Sequence, residues 1–458
     1  MRGALRLWLS LARHVQGTRS GGGRLPSALA VVAFAVTTWS VLTVAGGVQA
    51  FAERAAAPGA GSDAQTYPFL SWVSVALLLV PTATLGAAAA RLTVARRDER
   101  LARLRLAGAT SAQIGLIALL DAAAQAVAGA ALGVVANLLA TPAVALLRFQ
   151  GRAFEPAELR LGPGAVLAAA GAVLLVSLLS CALSLRRVAI TPLGVAQRLP
   201  VAGLSWARVL PVLLLGGAFV AAFNAAGALF GVGQAFGVLV LVGLLAGAFA
   251  LFNLVGPLLV SVLGRLLARR ARGVPTLLAA RRMADDPKST WRSVGGISLV
   301  TFVAGCLSVT PGLTAGAQEG EQVLMADVGT GAAVTLVIAA VLAAVSTGVT
   351  QASRVLDSRA QYRTLHLGGA DVAVLHAARS RETWVPLVVT MGGAALLSLL
   401  VVSPVVGLLG SAPVGVLQFA GCAAGGAGLV LLASRASRPL VEAAAVGEGS
   451  AGGSREGS

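Results

Sequence analysis

The chain has 458 residues, of which 57% are hydrophobic and only 12% charged, and its mean hydropathy is +0.85. A water-soluble domain of that length needs far more charge to cover its surface, so the composition excludes an ordinary soluble fold. The formal net charge is +17, from 35 basic and 18 acidic residues, but the arginines fall in short clusters between apolar runs and form no single patch, which argues against a nucleic-acid partner.

Apolar runs of about 20 residues, each long enough to cross ~30 Å of hydrocarbon, are expected at 26–50, 68–90, 112–147, 162–185, 208–229, 234–263, 294–313, 331–349, 383–408 and 413–433. Residues 1–25 form a basic, amphipathic N-terminus. Ala50-Phe51-Ala52 has the small-residue pattern of a signal-peptidase site. The apolar stretch from Pro26 to Val48 nevertheless exceeds the ~7–15 residues of a signal peptide's apolar core, so it is expected to remain as the first span. The third run is long, with an expected break at Thr141-Pro142. At the far end, 443–458 forms a tail, Gly/Ser/Glu-rich from Gly447 to Ser458, in which disorder is expected.

Arginine distribution sets the expected orientation. Placing 1–25, 91–111, 186–207, 264–293, 350–382 and the tail on the cytoplasmic side gathers there, with Arg208 at the edge of the 208–229 run, all but four of the 35 basic residues. Arg54, Arg148, Arg152 and Arg160 stay outside, together with Glu53, Asp63, Glu155, Glu158, Glu319, Glu321 and Asp327. Both termini are then inside. The longest outside segments, 53–67, 149–161 and 314–330, are too short to hold a folded domain.

The chain also repeats itself. Residues 94–121 align without gaps with 355–382, an offset of 261, so that Leu104-Arg105-Leu106-Ala107-Gly108-Ala109 faces Leu365-His366-Leu367-Gly368-Gly369-Ala370. Arg186-Arg187-Val188-Ala189-Ile190-Thr191-Pro192 and Arg435-Ala436-Ser437-Arg438-Pro439 follow the fourth span of each copy, and Leu11-Ala12-Arg13 resembles Ala280-Arg281-Arg282. The expected fold is an all-α polytopic membrane protein of about ten transmembrane helices. It comprises a four-span module (26–195), two linking spans with a basic connector (196–293) and a second four-span module (294–442). The modules are parallel repeats about an axis along the membrane normal.

Each copy carries the same amphipathic stripe. At 100° per residue, Val94, Leu101, Leu104 and Gly108 share one side of a helix, and Val355, Tyr362, Leu365 and Gly369 repeat it, while Arg96, Arg100 and Arg103 crowd the other side of the first copy only. A helix resting on anionic headgroups would need the charges more than the glycine stop. The second copy keeps the stripe and the stop and drops the charges, which favours docking of a partner. Asp121 and Glu382 occupy matching places in the third span of each copy. They are read either as a polar hinge or as interfacial acids paired with a nearby arginine, such as Arg379 or Arg381 beside Glu382. Small residues (Gly129, Ala130, Gly133; Gly392, Gly393, Ala394) suit close helix packing.

Enzymatic motifs are lacking. Cys181, Cys306 and Cys422 lie singly in apolar runs, and His14, His366 and His376 form no metal or catalytic pattern. There is no GxxxxGK[ST] phosphate cradle, and Lys288 is the sole lysine, so no cofactor is expected and ATP chemistry would have to come from another subunit.

On these residues the chain resembles the FtsX-like (MacB/LolC-type, type VII) ABC permease family. The segment from Arg96 to Thr110 is similar to the family's basic, leucine-rich LRxxGA turn between its second and third spans. Asp121 and Glu382 resemble the acid that follows it, and Thr191-Pro192 and Arg438-Pro439 its Ser-Pro stretch after the fourth span. Two features depart from the pattern: Arg100 and Gln361 stand where an acid is usual, and no large domain follows the first span of either copy.

The resemblance implies a multi-pass permease subunit of the cell membrane, in contact with membrane lipids, served by a separate cytoplasmic ABC ATPase, itself a dimer. That ATPase would dock on the two amphipathic helices and drive export of a lipophilic or peptide cargo, or transmit force across the membrane. A secondary transporter with parallel repeats, hinted at by Thr141-Pro142, and a non-transport scaffold or sensor subunit are the alternatives.

Overall fold

The computed structural model describes residues 24–58, 65–95, 110–190, 234–308, 322–357 and 371–409, with the single positions 217, 221, 364, 367–369, 420–421, 424–425 and 428. These residues are helical apart from one short hairpin and connecting turns and loops, the longest at 154–162. In chain order the elements are α1 (Arg24–Ala56), α2 (Thr66–Ala95), α3 (Ser111–Ala145), β1 (Arg148–Phe149), β2 (Arg152–Ala153), α4 (Pro163–Ile190), α5 (Gln234–Arg270), α6 (Val274–Asp285), α7 (Pro287–Leu307), α8 (Gln322–Asp357) and α9 (Val372–Leu409). The spans expected at 208–229 and 413–433 lie outside the described residues, single positions excepted.

Among the described residues five stretches are long and apolar enough to cross a membrane: Ser27–Ala56, Thr66–Gly86, Gly115–Ala145, Gln322–Ser353 and Ala377–Leu399. Pro163–Leu179 and Ser293–Leu307 are shorter apolar helices. Large side chains such as Leu139, Leu167 and Leu396 stand more than half exposed along these helices. In water that surface would drive aggregation; against acyl chains it costs nothing.

At the repeat offset of 261 the helix boundaries agree in part: α2 falls on 327–356, within α8, which begins five residues earlier and ends one residue later, and the first residue of α3, Ser111, falls on the first residue of α9, Val372. The helices run past their expected limits. α7 starts at Pro287, where Asp286 caps it by accepting a hydrogen bond from the Ser289 N–H at 3.1 Å. The break expected at Thr141-Pro142 is a correction, because α3 continues through Pro142 to Ala145. Thr141 Oγ1 donates to the Asn137 carbonyl at 2.8 Å, next to the Leu138 carbonyl, which would accept the helical N–H that Pro142 does not have.

The chain divides into two compact units, one from Met1–Gly46, Thr82–Ala145 and Glu155–Arg198, the other from Gly47–Pro81, Leu146–Phe154 and Leu199–Ser458. In the first, α3 lies directly on α1 because Gly129 and Gly133, one turn apart, present no side chain. A Cβ at Gly129 would sit 2.4 Å from Phe34 Cβ, and one at Gly133 2.6 Å from Thr38 Cβ. Thr43 Oγ1 bonds Asn137 Oδ1 across the same pair at 3.0 Å. α4 packs on α3 through Cys181, Ala118 and Ala122.

In the second unit α7 is the centre, packed by α5, α8 and α9. Phe302, Val303 and Leu299 of α7 meet Ala76 and Leu77 of α2, Val260 of α5, Met283 of α6, Leu336 of α8 and Ala394 of α9. The Trp291 indole lies flat over Gly256 of α5, where an added Cβ would be 2.2 Å from the ring. Ser298 of α7 donates to Thr390 Oγ1 of α9 at 2.7 Å. Thr390 is the repeat mate of Gly129, so the two copies join the same helix pair by different means. Gly392 and Gly393 have open space around them and bring no helix closer.

Candidate functional site

Two polar constellations stand out in the second unit, near opposite ends of its helices. The first joins α6 to α9. α6 is a twelve-residue amphipathic helix whose Ala279, Ala280 and Met283 are buried while Val274, Leu277 and Arg281 are exposed. Its Arg282 reaches Glu382 of α9 at 3.7 Å, and on the next residue of α9 the Arg381 guanidinium donates to Thr276 Oγ1 of α6. Glu382 is 6% exposed, so the carboxylate is nearly shut off from solvent and its cationic partner matters. The short helix is thus tied to the long one at two points, six residues apart along α6.

The second constellation gathers the end of α1, the start of α2, the hairpin and the start of α8. Arg54, in the last turn of α1, is 7% exposed. It donates to the Phe149 carbonyl at 3.2 Å and the Ala153 carbonyl at 3.1 Å, and its guanidinium lies 4.2 Å from the centre of the Phe154 ring. Phe51 packs on Tyr67, Phe149 and Phe154 with ring centres 5.3–5.6 Å apart. The turn is made by Gln150 and Gly151, both with positive φ, as a two-residue hairpin requires. One oxygen of Asp327, at the start of α8, accepts from Tyr67 Oη at 2.7 Å and from the Gln150 N–H at 2.6 Å. Charge on each side is therefore used to hold backbone and ring groups in place.

The residues singled out from the sequence fall as follows. Glu382 and Asp121 are each the eleventh residue of their helix, α9 and α3. They lie five and six residues inside the apolar stretches that begin at Ala377 and Gly115, about 8–9 Å deep at 1.5 Å per residue. Glu382 is buried and pairs with Arg282, from another helix, at 3.7 Å. Asp121 is half-buried beside the Ala118–Ala122–Cys181 contact of α3 and α4. Val94 and Val355 lie in the last turns of α2 and α8. Gly369 has φ +89°, and just before it the Gly368 N–H closes on the Thr364 carbonyl at 2.9 Å, a conformation that favours glycine. Leu101, Leu104, Gly108, Tyr362 and Leu365 lie outside the described residues. Among the described residues no group of three or more His, Cys, Asp or Glu could hold a metal ion.

Sequence reasoning missed Arg282, Thr276, Arg54 and Asp327. The signals were present: Ala280-Arg281-Arg282 recurs ahead of both copies, and Arg54 and Asp327 are charges in segments that hold few. What the sequence lacked was the pairing, which exists only once the helices are packed.

Neither the curated proteins nor the solved structures include a match to this chain. The family model for the FtsX-like permease C-terminal region matches residues 72–193, which takes in most of α2, all of α3, the hairpin, α4 and the leucine-rich turn between α2 and α3. Five membrane-length apolar helices accompany that match, and the chain is accordingly a membrane protein with a region similar to the FtsX-like permease C-terminal family over residues 72–193.

Proposed function

We propose that the protein is the membrane subunit of an ABC transporter. It would couple ATP hydrolysis on a separate cytoplasmic ATPase dimer to the extrusion of a lipophilic or peptide cargo, or to force transmission across the cell membrane. The observation that carries this reading is the coincidence of the family match over 72–193 with helices that recur 261 residues later, so that one chain supplies two modules for a two-fold partner. About ten spans with both termini inside follow from the arginine distribution. ATP binding is assigned to the partner because this chain has no phosphate-cradling loop. The short segments outside suit a membrane-embedded cargo. A secondary transporter drew on a broken helix at Thr141-Pro142, and α3 runs unbroken through it.

In this reading the stripes at Val94, Leu101, Leu104 and Gly108 and at Val355, Tyr362, Leu365 and Gly369 receive the ATPase. The test is the double substitution Leu104→Asp with Leu365→Asp, which puts a charge on each stripe. The variant is expected to insert normally and to lose its co-purified ATPase. Wild-type recovery of the ATPase would refute the docking assignment, and specific ATP hydrolysis by the purified chain alone would refute the permease reading.

A further inference from the structure

Five arginines at the α5–α6 corner, Arg265, Arg269, Arg270, Arg272 and Arg281, make no hydrogen bond or ion pair among the described residues, and all but the half-buried Arg265 are exposed. Positive charge concentrates here: of the segment 264–293 only Asp285 and Asp286 are acidic, and Asp286 is engaged as the cap of α7. The arginines continue an apolar face. On α5, Leu259, Val262 and Leu266 are exposed on one side of the helix, and Arg269 and Arg270 follow on that same side within about 100° of arc. On α6, Val274, 69% exposed, and Leu277, 43% exposed, share a stripe with Arg281.

We infer that this corner is a binding surface for anionic lipid, with the arginines on the phosphodiester headgroups and Val274 and Leu277 at the acyl boundary. The inference rests on the proposed orientation, in which 264–293 faces the cytoplasm. Apolar side chains leading along one face into a band of unpaired guanidiniums match the layering of a leaflet, hydrocarbon first and phosphate next. An acidic protein surface would satisfy the arginines and leave Leu259, Val262 and Leu266 facing lipid above it with no role in the contact. The carboxylate of Glu382 holds Arg282, on the flank of α6 next to Arg281, so lipid bound at the corner bears on the helix that is tied to α9.

The experiment uses the full chain purified in neutral detergent and offered equal amounts of phosphatidylglycerol and phosphatidylcholine, with retained lipid counted by native mass spectrometry. Wild type is expected to prefer phosphatidylglycerol. The variant Arg269→Gln, Arg270→Gln, Arg272→Gln, Arg281→Gln is expected to lose that preference on the order of tenfold, and the matching four lysine substitutions to keep it. Raising salt from about 0.05 to about 0.5 M should erode the wild-type preference without any mutation. Unchanged phosphatidylglycerol retention in the glutamine variant, or a wild-type preference indifferent to salt, overturns the inference. Loss of co-purified ATPase with lipid retention intact would give the corner to the partner protein and likewise overturn it. A cysteine at Val274 separates this from the orientation. Its labelling from outside intact cells by an impermeant thiol reagent would remove the orientation, whatever the lipid result.

Discussion

Ser74 of α2 and Thr335 of α8 share a hydrogen bond of 3.0 Å, Thr335 Oγ1 donating, and they are separated by 261 residues, the offset of the internal repeat. The α2–α8 contact thus brings a residue and its mate in the sequence repeat together within the second unit, with Tyr67 and Asp327 bonded farther along the same seam. Cysteines at Ser74 and Thr335, in a chain cleared of Cys181, Cys306 and Cys422, should form a disulfide on mild oxidation. The two halves would then stay joined after cleavage at a protease site inserted between residues 310 and 321. Separation into two fragments under oxidising conditions would show that the seam is not populated in the membrane.

Asp327 holds the hairpin through the Gln150 amide, and hydrogen exchange reads that bond directly. A hydrogen bond to a charged acceptor contributes about 1.5–3 kcal/mol. Asp327→Ala should thus speed exchange at Gln150 by roughly ten- to a hundredfold, with helix α9 unaffected. Tyr67→Phe, which leaves the Gln150 bond in place, should change that amide far less. Equal exchange in wild type and Asp327→Ala would mean the hairpin is held by Arg54 alone.

Breaking the Arg282–Glu382 pair from one side should cost on the order of 2 kcal/mol. That is below the usual figure for a fully buried pair, because the Arg282 side chain keeps 16% of its exposure. Glu382→Ala and Arg282→Ala are expected to lower the midpoint of thermal unfolding, and the two effects should not add in the double variant. In complexes with the ATPase, each single substitution should also uncouple hydrolysis from the state of the spans. Additive losses would show that the two residues act independently.

Orientation has its own check. Single cysteines near Gly61 and Glu319 should react with an impermeant thiol reagent in intact cells, and one at Arg100 should not. Reaction at Arg100 would overturn the arginine argument and the span order with it.

The helices were legible because a membrane span needs only a long apolar run, and the repeat was legible because leucine, glycine and acid recur at one spacing. The Ser74–Thr335 bond joins two residues at that same spacing. The hairpin escaped notice: two-residue strands carry no alternation, and Gln150-Gly151 is a weaker turn signal than Asn-Gly. α6 was merged into a basic connector, since its apolar face is built largely of alanine. The pairing of Glu382 with Arg282 escapes the sequence for a plain reason: along a sequence the nearest arginine is the obvious candidate, whereas the fold also brings Arg282, a hundred positions away, within reach.

The unlike joints of the two copies give them opposite grains of mutational tolerance. In the first copy, Gly129 and Gly133 have already reached the smallest residue there is, so every substitution enlarges and pries α3 from α1. In the second, Thr390 holds Ser298 by a hydroxyl, so damage comes from trimming or from swapping oxygen for a methyl. Gly129→Thr and Thr390→Gly copy each residue into its mate's place. Neither is a neutral exchange, and the matching helix pairs of the two copies are not spare parts for each other.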